Sequence, residues 1–113
     1  MAVNSLRVLV AEGSPVYMGA VRQVLAGNSR VVLAAEATAG HEVVEATLRA
    51  RPDVALLDVH LPGQSGLSIA RDLRQKAPDV KIVLLLSDDG ASYQKAASEI
   101  GARWATKDGL ADE

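Results

Sequence analysis

Short runs of Val, Leu and Ala alternate along this chain with stretches whose apolar residues recur at helical spacing, and this alternation restricts the fold more than any other feature. The runs are Leu6 to Ala11, Val31 to Ala37, Val54 to Val59, Val80 to Leu86 and a short last one from about Ala102 to Thr106. After the first, Tyr17, Val21, Val24 and Leu25 fall on one helical face, with Ser14 placed to cap the helix, Pro15 to open it and Gly27-Asn28 to stop it. A second helix is expected from about Gly40 to Arg51, with Val43, Val44, Thr47 and Leu48 turned inward and Pro52 past its end. A Pro62-Gly63 turn leads to a third with Ile69, Ala70, Leu73 and Ala77 on its inner face. Tyr93, Ala96, Ala97 and Ile100 mark a fourth, ended by Gly101. Strands alternating with helices predict an α/β fold. Near-continuous apolar strands such as Ile82 to Leu86 fit a parallel sheet covered on both faces.

The chain has 113 residues, enough for one domain (1–113) and too few for two. Hydrophobic residues make up 49% but aromatic ones only 3%, with no Phe, so the core must be built from Val, Leu, Ile and Ala. The absence of Cys excludes disulfides, thiolate metal sites and thiol nucleophiles together. No apolar run is long enough to span a bilayer, and Met1 to Ser5 carry no charged-then-apolar leader, so no membrane contact and a cytoplasmic setting are expected. The net charge of −2 comes from 12 basic and 14 acidic residues, and the basic ones do not cluster in sequence. Contact with DNA is therefore expected only through a separate output domain outside this chain.

In an open α/β sheet, sites form beyond the carboxyl ends of the strands. Those ends deliver Glu12-Gly13, then Asp58-Val59-His60, then Ser87-Asp88-Asp89, and finally Lys107. Two acids, a hydroxyl and an amine on one rim suit a divalent cation and a phosphoryl group: carboxylates are hard oxygen ligands, and the hydroxyl and ammonium can take phosphoryl oxygens. Rival chemistries lack their parts. A dinucleotide site needs spaced glycines where only Gly13 stands, no Walker-type loop is present, and neither Ser14 nor Ser87 sits in a nucleophile elbow. No enzymatic activity is expected.

The run Arg51-Pro52-Asp53-Val54-Ala55-Leu56-Leu57-Asp58-Val59-His60-Leu61-Pro62-Gly63, with Gly66 beyond it, resembles the phosphoacceptor segment of the receiver domain of two-component response regulators. The likeness extends from Arg7-Val8-Leu9-Val10 to Lys107-Asp108, and the Lys-Asp ending is similar to the LuxR/NarL-type subfamily, whose output is a helix-turn-helix DNA-binding domain. The resemblance implies a flavodoxin-like, doubly wound five-stranded sheet in the order 2-1-3-4-5. It also implies phosphorylation of Asp58 by a sensor histidine kinase, with Mg2+ held by Glu12, Asp58 and the main-chain carbonyl of His60. Ser87 and Lys107 would contact the phosphate, and Trp104 would serve as the aromatic switch on the last strand.

Three departures from the family pattern bear on that assignment. Gly13 stands where the family has a second acid and can ligate nothing, so Glu12 reads equally as a metal ligand or as a solvated strand-end acid. Only Arg103 to Thr106 separate the Gly-Ala pair from Lys107, one residue fewer than usual, so either the loop absorbs the deletion or Lys107 points away. Trp104 reads equally as a half-buried strand aromatic. Asp108 to Glu113 are too few for the family's fifth helix, and a sheet face left bare invites a further part of a longer chain or a second copy, as a homodimer. The leading expectation is a phosphorylated receiver in a phosphorelay that switches an output such as transcription; the alternative is a phosphorylation-independent pseudo-receiver acting as a protein-interaction module.

Overall fold

The computed structural model describes residues 5–86 and 91–106. The elements are β1 (Leu6–Ala11), α1 (Pro15–Ala26), β2 (Val31–Ala37), a 3-10 turn (Gly40–Glu42) running into α2 (Val43–Ala50), β3 (Val54–Asp58), α3 (Gly66–Lys76), β4 (Lys81–Leu86), α4 (Ala91–Glu99) and β5 (Arg103–Thr106). The strands form one parallel sheet in the order β2-β1-β3-β4-β5, as the resemblance implied. The order reverses between β1 and β3, so their carboxyl ends, carrying Glu12 and Asp58, lie side by side at the switch point where such sheets place their sites.

Strand alternation sorts the core into two faces. Leu9, Ala55, Leu57, Ile82, Leu84 and Leu86 pack against Val43 of α2, Ile69 and Leu73 of α3, and Ala97 of α4. Each fully buried Leu or Ile contributes roughly 1.5–3 kcal/mol. On the opposite face Val8 and Val10 meet Met18 and Val21 of α1, with Leu25, Leu33, Val54 and Leu56 partly buried around them. In β2, Ala34 is an extra residue between the pairs Leu33↔Val8 and Ala35↔Leu9. This bulge turns Leu33 toward α1 but Ala35 and Ala37 toward the larger cluster.

Helix bounds follow the caps read from sequence: Ser14 Oγ accepts from the N–H of Tyr17, Pro15 opens α1, and Gly101 at φ 73° ends the α4 turn. Two expected inward faces are corrected. On α1 the buried residues are Met18 and Val21, while Val24 is 36% exposed and Tyr17 and Leu25 are half-buried. This helix packs on its sheet face through a narrow strip, so a residue a turn away is left at the margin. On α2 Val43 and Thr47 are buried but Leu48 is 50% exposed. At about 100° per residue Thr47 lies about 40° round the helix from Val43 and Leu48 about 140°, so a stripe centred on Val43 and Thr47 leaves Leu48 outside it. Thr47 satisfies its buried hydroxyl by donating to the Val43 carbonyl at 2.8 Å.

Candidate functional site at the carboxyl ends of the strands

Asp58 is the last residue of β3 and only 3% exposed, more enclosed than a half-shielded strand-end acid. Its Oδ1 accepts the N–H of His60 at 3.0 Å, a local turn that fixes the carboxylate as the chain leaves the strand. The following loop is drawn tightly beneath α3. Val59 donates to the Leu85 carbonyl and Gly66 to the Val59 carbonyl, each at 3.1 Å. Gly66 is needed at that crossing: a Cβ there would lie 2.5 Å from the Asp58 carbonyl oxygen and 2.8 Å from Val59 Cα. Ser65 caps α3 by accepting from Ser68 N–H at 3.2 Å. Gln64 Nε2 donates to Ser68 Oγ and Asp72 Oδ2, and the N–H of Gly40 donates to the Pro62 carbonyl at 3.0 Å, so the loop is held from both flanks.

Glu12 follows β1 directly and is 1% exposed, so it is no solvated strand-end acid. Its backbone N–H continues the sheet by donating to the Ala37 carbonyl, and its Oε2 accepts the N–H of Ser14 at 3.0 Å. Glu12 and Gly13 also line a cavity of about 160 Å³ with Pro15, Met18, Arg22 and Thr38; Asp58 is not part of its wall. At the rim of this region Arg22 of α1 and Glu36 of β2 form a two-pronged ion pair, both contacts 2.5 Å. The hydrogen bond from Arg22 holds the Glu36 carboxyl below the usual carboxylate range. Glu42 is likewise held low, chiefly by the backbone N–H of Thr38 and also that of Ala39.

At position 13, a Cβ would lie 2.7 Å from Pro62 Cδ and 3.1 Å from its Cγ. The proline ring thus stands where a second acid would begin. Glu12 and Asp58 are the two buried carboxylates among the described residues, and with the His60 carbonyl they would be the donors to a cation here. These hard oxygens suit Mg2+ in kind, with one carboxylate fewer than the family pattern. No group of three or more His, Asp or Glu poised to hold a metal ion occurs among the described residues.

The structure brings Glu12, Asp58 and His60 to one rim. Ser87, Asp88, Asp89 and Lys107 lie outside the described residues. β5 pairs with β4 without a shift from Arg103 to Thr106, and Trp104, beside Leu84 in that register, is 42% exposed. Two further contacts are not signalled by any sequence pattern. The His60 ring meets the Tyr93 ring edge to face, with centroids 5.6 Å apart and planes at 87°. From α3, Arg74 donates through Nε to the Ile100 carbonyl at 2.9 Å and through Nη2 to the Gly101 carbonyl. Only the apolar placement of Tyr93 hinted at the first contact; nothing in the sequence signalled the second.

Comparison with known proteins places the fold in a family. The chain is 31% identical, over its whole length, to the transcriptional regulatory protein YxjL of Bacillus subtilis, and covers 52% of that protein. It is 32% identical to a protein-glutamate methylesterase/protein-glutamine glutaminase of Pyrococcus abyssi over 88% of this chain and 27% of that one. It superposes on the signal receiver domain of the response regulator NarL from Mycobacterium tuberculosis with a TM-score of 0.88 at 26% identity, covering 96% of this chain and 92% of the other. The chain spans about half the length of the curated transcriptional regulators it matches. No helix among the described residues is long and apolar enough to cross a membrane. With residues 8–105 matching the response regulator receiver domain, the chain belongs to that family of two-component signalling domains.

Proposed function

We propose that Asp58 accepts a phosphoryl group from a phosphohistidine of a sensor histidine kinase in the cytoplasm. A carboxylate oxygen attacks phosphorus, the P–N bond breaks, and the departing imidazole nitrogen takes up a proton. The observation that carries this reading is the placement of Asp58: a carboxylate ending the central strand, beside Glu12 and held in orientation by the His60 N–H. Mg2+, held by the Glu12 and Asp58 carboxylates and the His60 carbonyl, would offset the charge gathered between the acids and the incoming group. Ser87 and Lys107 would contact the phosphoryl oxygens, and Trp104 would follow them as the aromatic switch. The domain catalyses no turnover of its own. The phosphorylated state shifts a population toward an output-competent form, through a DNA-binding output domain of LuxR/NarL type in the longer protein and, in that state, through pairing of two copies.

Intact-mass measurement after incubation with acetyl phosphate and Mg2+ tests this. One phosphoryl adduct on the native chain and none on Asp58→Ala is expected; no adduct on the native chain, or the same adduct on the variant, rejects it. A pseudo-receiver that works as an interaction module without phosphate is the second reading, favoured by the missing acid at Gly13 and the Pro62 ring in its place. Mg2+ binding in the millimolar range supports the first reading, and its absence supports the second.

A further inference from the structure

We propose that His60 is a positioning residue: its ring, set against Tyr93, helps hold the front of α4 to the Asp58 loop and, resting on the reading of Asp58 above, passes a change there to α4 through that ring contact. The main chain of His60 is already tied to the acceptor, since its N–H donates to Asp58 Oδ1 at 3.0 Å. A group added to that carboxylate, or a rotation of it, therefore acts on residue 60. The His60 side chain is exposed, and it makes an edge-to-face contact at 5.6 Å with Tyr93, the orientation in which one ring's positive edge meets the other's negative face.

The far end of α4 is anchored differently. Arg74 grips the carbonyls of Ile100 and Gly101, Ala102 N–H returns to the Ala97 carbonyl at 2.8 Å, and Ala97 is fully buried. Among the described side chains of α4, Ala97 alone is buried. A helix of nine residues fixed at its carboxyl end, with Tyr93 near its start packed against both the core cluster and the His60 ring, is a lever whose pivot lies at Gly101. Tyr93 is its handle. Trp104, the chain's one tryptophan, stands beside Leu84, which packs in the cluster that includes Ala97 of α4, and so supplies a reporter near the lever.

Amide hydrogen exchange on the whole chain tests the contact itself. His60→Ala and Tyr93→Ala should each raise exchange at Gln94 to Ala97 by about 3- to 10-fold while α3 is unchanged. His60→Phe and Tyr93→Phe, which keep a ring, should stay near the native rate, and the double alanine variant should add nothing to Tyr93→Ala. Native-like exchange in both alanine variants, or His60→Phe behaving like His60→Ala, overturns the proposal. Trp104 emission is then followed in samples whose acetyl phosphate adduct is confirmed by mass. The native chain should show an emission change with the adduct, and Tyr93→Ala the adduct with a reduced change. An unaltered emission change in Tyr93→Ala overturns the lever and leaves Asp58 as acceptor standing. Absence of the adduct from the native chain instead rejects the acceptor reading and the passage from Asp58 with it, and the exchange rates still decide the ring contact.

Discussion

The ring of Pro62 occupies the space into which a side chain at Gly13 would grow, with Cδ 2.7 Å from the position of a Cβ. The loss of the second acid is therefore matched by the loop after β3, and restoring the acid is no simple repair. Gly13→Asp should lower stability by ~1–3 kcal/mol, as overpacking does. It should improve Mg2+ affinity little until Pro62→Ala is added. Urea unfolding and a Mg2+ titration of both variants check this; tight Mg2+ binding by an undestabilised single variant would show that the loop yields freely.

Gly66 carries a comparable constraint nearer the acceptor. A methyl group there would sit 2.5 Å from the Asp58 carbonyl oxygen, and backbone cannot swing aside as a flexible side chain can. Gly66→Ala is expected to cost ~1–3 kcal/mol and to lower phosphoryl uptake at Asp58 in the fraction that remains folded. Thermal melting paired with intact mass separates the two effects.

Arg51 ends α2 at φ 51°, in the left-handed region that glycine adopts without strain. Arg51→Gly should stabilise the chain by about 0.3–1 kcal/mol, the relief of strain exceeding the added freedom of the unfolded chain. A raised urea midpoint with unchanged slope is the expected result.

Glu42 gives the fold a pH dependence with a definite sign. The N–H groups of Thr38 and Ala39 hold its carboxyl below the unfolded value, so its contribution is complete above the ordinary carboxylate range and fades as pH falls through the folded value. Glu36 behaves the same way through Arg22. Stability should fall as pH drops through and below the ordinary carboxylate value, and Glu42→Gln should flatten part of that slope. Urea midpoints at a series of pH values measure it.

Much of this was legible in the residues because strand and cap signals are local. Val31 to Ala37 reads as a strand and is one, and Ser14-Pro15 starts a helix where its chemistry says it must. Asp58 and Glu12 could be placed on one rim because strand ends converge in this architecture. Leu48 and Val24 are apolar at helical spacing yet exposed, because where an apolar stripe is centred depends on what the helix packs against. Pro62 beside Gly13, Tyr93 beside His60 and Arg74 at Gly101 join residues distant in sequence, and no local pattern encodes them.

β2 lies at the margin of the sheet, and six of its seven residues are apolar. An outer strand of that composition is a template on which further chains could stack and grow into fibres. The extra residue at Ala34 spoils the template: it interrupts the even ladder spacing that an incoming strand must match. One small insertion thus makes this edge a poorer template than its composition alone, with Glu36 its one charged side chain, would make it.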